Sequence, residues 1–159
     1  MNTTTDYRIT VRVDAPAEAV FDLLTSTEAL SAWWSPAMGS GLAGGELRFP
    51  MVADQPPLTM RVDEATRPTT VRWTVTECTF MTDWVGTRPT FTITPRGDTG
   101  CEVTFVHLGL DDSLECKDMC SRSWDHFVGT SLRELAEGGP GAPNRSARDL
   151  ARRAAEETA

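Results

Sequence analysis

Between residues 111 and 138 the apolar side chains fall at Cys116, Met119, Cys120, Trp124, Phe127, Val128, Leu132 and Leu135, the three-and-four spacing of one helical face. Lys117, Asp118, Arg122, Asp125 and Glu134 take the opposite face. The spacing predicts a helix of about six turns. Asp112, three residues before Glu115, resembles a capping box, and Gly138, Gly139 and Pro140 supply the stop. The inward stripe mixes two thiols, a thioether, Ser123 and a tryptophan with few aliphatics. Such a face suits the wall of a cavity better than a packed core.

Upstream of it the period is two. Ile9, Val11 and Val13 alternate with Arg8, Thr10 and Arg12, which predicts a half-buried strand over residues 7–13. Asp14 and Pro16 then open a helix that turns Val20, Leu23 and Leu24 inward, and a second short helix, capped by Thr27, runs to Trp33. Pro36 and the glycines at 39, 41, 44 and 45 end it. Five further strands are predicted at residues 46–51, 58–65, 69–77, 88–95 and 101–108, separated by turn residues. Leu47, Phe49 and Met51, Leu58, Met60 and Val62, Val71, Trp73 and Val75, Phe91 and Ile93, and Cys101, Val103 and Phe105 share one parity within each strand. Arginine, threonine and glutamate take the other. One sheet face is therefore wet, and the only long element available to cover the other is the C-terminal helix. The expected fold class is α+β: a curved antiparallel six-stranded sheet wrapped around a long helix, with two short helices between the first two strands. That order is the helix-grip arrangement.

Composition narrows the function. With 159 residues and 40% hydrophobic content the chain fits one domain that buries a core without metals or disulfides. We divide it into an arm at residues 1–5, a domain at 6–139 and a linker with a polar tail at 140–159. In the tail, Ala147, Leu150, Ala151 and Ala154 form only a weak stripe, which favours a loosely docked segment over a dimerisation helix. A net charge of -8 without a basic run argues against nucleic acid and anionic membranes as partners, and against a strongly anionic ligand. There is neither a basic leader before an apolar run nor a stretch of about 18 apolar residues, so a cytoplasmic protein is expected. Four cysteines are best read as reduced thiols.

Several segments resemble the SRPBCC, or START-like, superfamily, in particular its bacterial branch related to the activator of the heat-shock chaperone ATPase. The matching stretches are AVFDLLT and AWWSP near the start, GGELRF opening the second predicted strand, the TFTITPRGDTGCEVTF hairpin, and the closing HLGLDDSLECKDMCSRSWDHFVGTSLRELAEGGPGAP. The resemblance spans about residues 7–143 and implies the helix-grip fold and a cavity for a lipid, a hormone or another apolar small molecule, in which some members cyclise or hydrolyse substrates. Eukaryotic ATPase activators carry a separate N-terminal domain for which this sequence has no room, so ATPase activation is not the expected activity.

Three chemistries compete within that frame. His107, Cys116 and Cys120 offer imidazole and thiol donors for zinc, but as a set of three with no loop spacing. The same residues offer a thiol nucleophile with His107 as base, yet without a nucleophile elbow or an evident oxyanion hole. Tryptophans and methionines, among them Trp33, Trp34, Trp73, Trp84, Trp124, Met60, Met81 and Met119, supply flat, deformable surface for an apolar or aromatic ligand. We assign the expected cavity to Trp34, Met60, Trp73, Phe91, Phe105, His107, Cys116, Cys120, Trp124 and Phe127, with His107 as the polar handle. No cofactor, metal or catalytic residue is expected. The expected partner is a small apolar or aromatic molecule, bound by a monomer or homodimer. The alternatives are a cyclase or hydrolase using His107 as acid or base, and a chaperone-associated interaction module presenting Trp84 or the tail.

Overall fold

The computed structural model describes residues 5–158, so the expected N-terminal arm lies, apart from Thr5, outside the described residues. The strand β1 (Tyr7–Val13) leads into α1 (Ala17–Thr25) and α2 (Thr27–Trp33), followed by β2 (Met38–Gly39), β3 (Glu46–Phe49), β4 (Leu58–Thr66), β5 (Thr70–Glu77), β6 (Arg88–Arg96) and β7 (Gly100–Leu108). These seven strands form one antiparallel sheet in the order β1-β7-β6-β5-β4-β3-β2. It is the α+β helix-grip architecture, with one strand more than the alternation predicts. The extra strand, β2, is two residues long and so shows no period; it pairs Met38 with Arg48 and Gly39 with Leu47. Gly39 has φ near +100°, and a Cβ there would overlap the Glu46 carbonyl oxygen, so the edge pairing depends on glycine.

The predicted parity places side chains correctly. Leu47, Phe49, Leu58, Met60, Val62, Val71, Trp73, Val75, Phe91, Ile93, Cys101, Val103 and Phe105 are all buried, whereas Met51, beyond the end of β3, is half-buried. The register puts Phe91 opposite Phe105 and Val62 opposite Trp73, which stacks the large residues of adjacent strands on one face. Irregularities at Thr59/Met60 and Val62/Glu64 interrupt the β4–β5 pairing, and such bulges bend and twist a strand locally.

Helix boundaries differ from the sequence expectation where local hydrogen bonds compete. The long helix starts at Lys117, not near Asp112, because the Asp111 carboxylate accepts from the backbone N–H of Ser113 and winds residues 111–116 into turns. At α2 it is Ser26, not Thr27, that caps, accepting from Ala29 N at 3.3 Å. Pro16 holds the N-cap position of α1 without a side-chain bond, so Asp14 does not cap.

The long helix itself has three parts: α3 (Lys117–His126), a π-helical turn (Phe127–Leu132) and α4 (Arg133–Ala136). The wider turn brings Phe127, Val128, Ser131 and Leu132 all inward. Gly129 lets it sit close on β1, since a Cβ there would come within 3.1 Å of the Ile9 side chain. Ser131, fully buried, donates to Trp33 O and accepts from Ala142 N, both at 2.7 Å, tying α2, the π turn and the following linker together. Near the end of α3, Tyr7 donates its hydroxyl to Asp125 at 2.5 Å, and burial with this bond pushes the phenol pKa upward.

The last helix, α5 (Ala147–Thr158), is docked rather than loose, and by its polar face. Ala147, Leu150, Ala151 and Ala154, the weak apolar stripe, are exposed. Asp149 is fully buried instead, accepting from Arg145 N at 2.8 Å, Arg152 Nη2 at 2.7 Å and Arg153 Nε at 3.1 Å. Arg148 forks onto Glu134 at 2.6 and 3.1 Å, a bidentate tie from α5 to α4. Arg152 also lies over the Phe127 ring at 5.6 Å.

Candidate functional site

The space between sheet and helix is filled by rings. Trp34 packs against Phe49 at 4.5 Å, Trp124 at 4.9 Å and Trp73 at 6.0 Å between centroids. Trp73 meets Phe91 at 5.2 Å, Phe91 meets Phe105 at 4.6 Å, and Phe105 meets Trp124 at 4.6 Å. This closed circuit leaves Trp73, Phe91, Phe105 and Met60 with no exposed surface.

The cavity lies above that circuit, with a volume of about 640 Å³. Trp34, Trp84, Trp124 and Phe127 form its aromatic floor and walls, with Met51, Met81, Met119 and Cys120 beside them. Arg122 and Ser123 of α3 and a row of side chains from α5 and its linker complete the lining. Each element contributes for a local reason. Trp34 is the C-cap of α2, so its ring leaves the helix axis towards the sheet; Trp84 ends a 3₁₀ turn (Thr82–Trp84) between β5 and β6; and Cys120, Trp124 and Phe127 succeed one another along one helical face.

Of the ten residues assigned from the sequence, Trp34, Cys120, Trp124 and Phe127 line the cavity. Met60, Trp73, Phe91 and Phe105 belong to the core beneath it, Cys116 sits at the N-cap of α3, and His107 stands behind the tryptophans. Residues that the sequence reading left out are Met51 and Val52, from the β3–β4 connection, and the α5 face. Met119, 54% exposed, is at the cavity rim and not in the helix stripe. Trp84 is buried in the wall and so is no exposed anchor for a partner protein.

His107 is held at both nitrogens. Trp124 Nε1–H donates to Nδ1 at 3.0 Å, and Nε2 lies 2.8 Å from Thr87 Oγ1, whose own hydroxyl donates to Trp84 O at 2.6 Å. The directions of these bonds assign a neutral imidazole with its hydrogen on Nε2. Burial favours the same state, lowering the pKa to about 3. This imidazole has no free nitrogen with which to exchange a proton with a ligand. It fixes the orientation of Trp124 and, through Thr87, the backbone of Trp84, two walls of the cavity.

The thiols are also quiet. Cys78, which the sequence did not connect with the others, comes near Cys116 and Cys120. Burial raises the pKa of both Cys78 and Cys120, and the neighbouring thiol of Cys116 raises that of Cys120 further. Protonated thiols are poor nucleophiles and poor metal ligands. Among the described residues no group of three or more His, Cys, Asp or Glu side chains is arranged to hold a metal ion, and no helix is long and apolar enough to cross a membrane.

With this geometry in hand the chain can be compared with known proteins. The profile of the family described as activator of Hsp90 ATPase homolog 1-like proteins matches residues 14–137. The chain belongs to this family. It is thus part of the bacterial branch of the START-like superfamily that its motifs resemble. No match was found among curated proteins. Among solved structures, that of the Aha1 dimer from Colwellia psychrerythraea is 22% identical, with a TM-score of 0.72 over 86% of this chain and 99% of that one. CalU16 from Micromonospora echinospora is 14% identical, with a TM-score of 0.67 over 91% of this chain and 78% of that one. DynU16, from the dynemicin biosynthetic locus, is 22% identical, with a TM-score of 0.63 over 84% of this chain but only 48% of that one. At these identities the likeness concerns the fold.

Proposed function

We propose that this protein binds a small apolar or aromatic molecule in the cavity between α3, α5 and the connections before β4 and β6. One observation carries the reading: a space of about 640 Å³ is walled by three tryptophans, a phenylalanine, three methionines and a cysteine, although a full set of rings already packs beneath it. Small-molecule pockets of soluble proteins have this size and an apolar wall of this kind, and here polar side chains of α3, α5 and the linker complete the lining. The rings below keep the floor rigid, so the site is formed before the ligand arrives and less of the binding energy goes into ordering it. Trp34, Cys120, Trp124 and Phe127 touch the ligand in this account. Met60, Trp73, Phe91, Phe105 and His107 hold the contact residues in place, and Cys116 supports Cys120. Catalysis through His107 gains no support from its geometry.

Ser123 projects from α3 into the cavity lining and is only half-buried, so a larger side chain there fills the space without entering the core. Titration with the neutral fluorophore N-phenylnaphthylamine should saturate at one site on the natural protein. Ser123→Trp should weaken it by at least about tenfold, a loss of roughly 1.4 kcal/mol, with an unchanged unfolding midpoint. Equal affinity in the two proteins would place the binding elsewhere.

A further inference from the structure

The polar part of the cavity is weighted towards donors. In a chain with 23 acidic and 15 basic residues, the lining carries four arginines, Arg122, Arg145, Arg152 and Arg153, against Glu156 and Glu157. Two of the four are committed to structure. Arg152 bonds Asp149 and Glu156, and Arg153 bonds Asp149 and Asn144, which latches α5 in place. The other two have no carboxylate closer than 3.9 Å among the described residues. The nearest carboxylate oxygen to Arg122 is that of Glu156, at 3.9 Å from Nε, and the Arg122 side chain is 52% exposed. Arg145 donates from Nη2 to the Met51 carbonyl at 2.7 Å and has no carboxylate partner among the described residues.

Two further donors add to this. Trp84 Nε1 and Arg152 Nε are both buried on residues that line the cavity, and neither has an oxygen or nitrogen acceptor. For Trp84 the neighbouring group is the Cys120 sulfur, a weak acceptor at best. Buried N–H groups are seldom left without a strong acceptor, and both of these lie on side chains that border the cavity. An apolar floor with donors and guanidinium groups at one end calls for a ligand with an apolar body and an acceptor, preferably charged, at one end.

We propose that the ligand of this cavity is an aromatic or apolar molecule bearing one anionic group, such as a carboxylate, which Arg122 and Arg145 bind at the α5 end. This rests on the reading of the cavity as a ligand site and corrects the inference from net charge: the chain is acidic as a whole, but the rim of this site is cationic. Because the apolar body enters first and the guanidinium groups stand at the mouth, the anion stays near solvent and needs no complete desolvation.

Two probes that share one ring system test it: neutral N-phenylnaphthylamine and anionic anilinonaphthalene sulfonate. The anion is the more water-soluble of the two, so an apolar pocket without cations prefers the neutral probe. The natural protein should bind the sulfonate at least about tenfold more tightly than the neutral probe at low salt, and the margin should shrink in about 1 M salt, where screening acts within a few ångströms. The double variant Arg122→Gln, Arg145→Gln changes two exposed side chains and should remove the margin, the ratio of the two affinities within the variant being the quantity read. Equal or tighter binding of the neutral probe by the natural protein would overturn the anionic assignment and leave the cavity reading intact. A margin that survives in the double variant would also overturn it. Saturable binding of neither probe would overturn both.

Discussion

Lowering the pH from 7 to 4.5 is expected to remove about 3 kcal/mol of stability through His107 alone. The folded state holds this imidazole neutral, with a pKa near 3 against an ordinary 6.5. Between those values the unfolded chain binds a proton that the folded chain does not. Stability therefore rises with pH through this window, is fully present above about 6.5, and falls by about 1.4 kcal/mol per pH unit as the solution is acidified. Burial causes the shift, and the hydrogen bonds make it consequential: protonating Nδ1 would set a second N–H against the Trp124 indole donor. Urea unfolding of the natural protein and of His107→Gln at both pH values isolates the effect. The variant should be less stable at pH 7, because two buried bonds are disturbed, but should lose about 3 kcal/mol less on acidification. Carboxylates such as Asp63, Glu64 and Glu134, whose pKa values their hydrogen-bond and arginine partners hold down, contribute equally to both proteins and cancel. Identical pH dependence in the two would mean that His107 is hydrated or charged in the folded state.

Trp124→Ala should be the most damaging single truncation in the site, at about 3–5 kcal/mol, much of the stability of an ordinary domain. Its ring touches four others, Trp34 at 4.9 Å, Phe105 at 4.6 Å, His107 at 5.9 Å and Trp84 at 6.2 Å, and its N–H satisfies His107. Removing it opens the cavity floor into the core and leaves Nδ1 buried without a donor. Trp124→Phe separates these effects, since it keeps a ring but loses the donor, and should cost about 1–3 kcal/mol. Denaturant midpoints of the two variants give the comparison. A loss below about 1 kcal/mol for the alanine variant would show that the ring circuit is not the rigid platform described above.

Much of the scaffold is legible in the sequence because an antiparallel sheet with one wet face obliges every strand to alternate. Leu47, Met60, Trp73, Phe91 and Phe105 could be assigned inward by parity alone. Less was legible where a local bond or a tertiary contact decides. Asp111 wins the backbone N–H of Ser113 for a turn, and the long helix starts six residues later. The spacing of Asp149, Arg152 and Arg153 is as compatible with a solvated helix as with a docked one. Only the folded chain buries that carboxylate and turns Leu150 outward. For the same reason the weak apolar stripe of α5 gave no sign of its part in the cavity.

The candidate site was half legible. Parity showed that Trp73, Phe91 and Phe105 face the interior, and helical spacing did the same for Trp124, but whether facing rings meet or leave a gap depends on distances of one or two ångströms that no periodicity encodes. Here they meet, and the space opens one layer further out, where Met51, Trp84 and the arginines of α5 close it. His107 shared the inward parity correctly, yet its role as a brace between Trp124 and Thr87 depends on two contacts made across the fold.

The most direct test of the ligand cavity is a titration of the isotopically labelled protein with N-phenylnaphthylamine, followed by NMR at the five tryptophan indole N–H signals. The account predicts saturable, coincident shifts that are largest for Trp84, Trp124 and Trp34, whose rings line the cavity. Trp33 and Trp73, fully buried outside it, should move little. Shifts that never saturate, or that are largest at Trp33 and Trp73, would contradict the assignment of this cavity as the binding site.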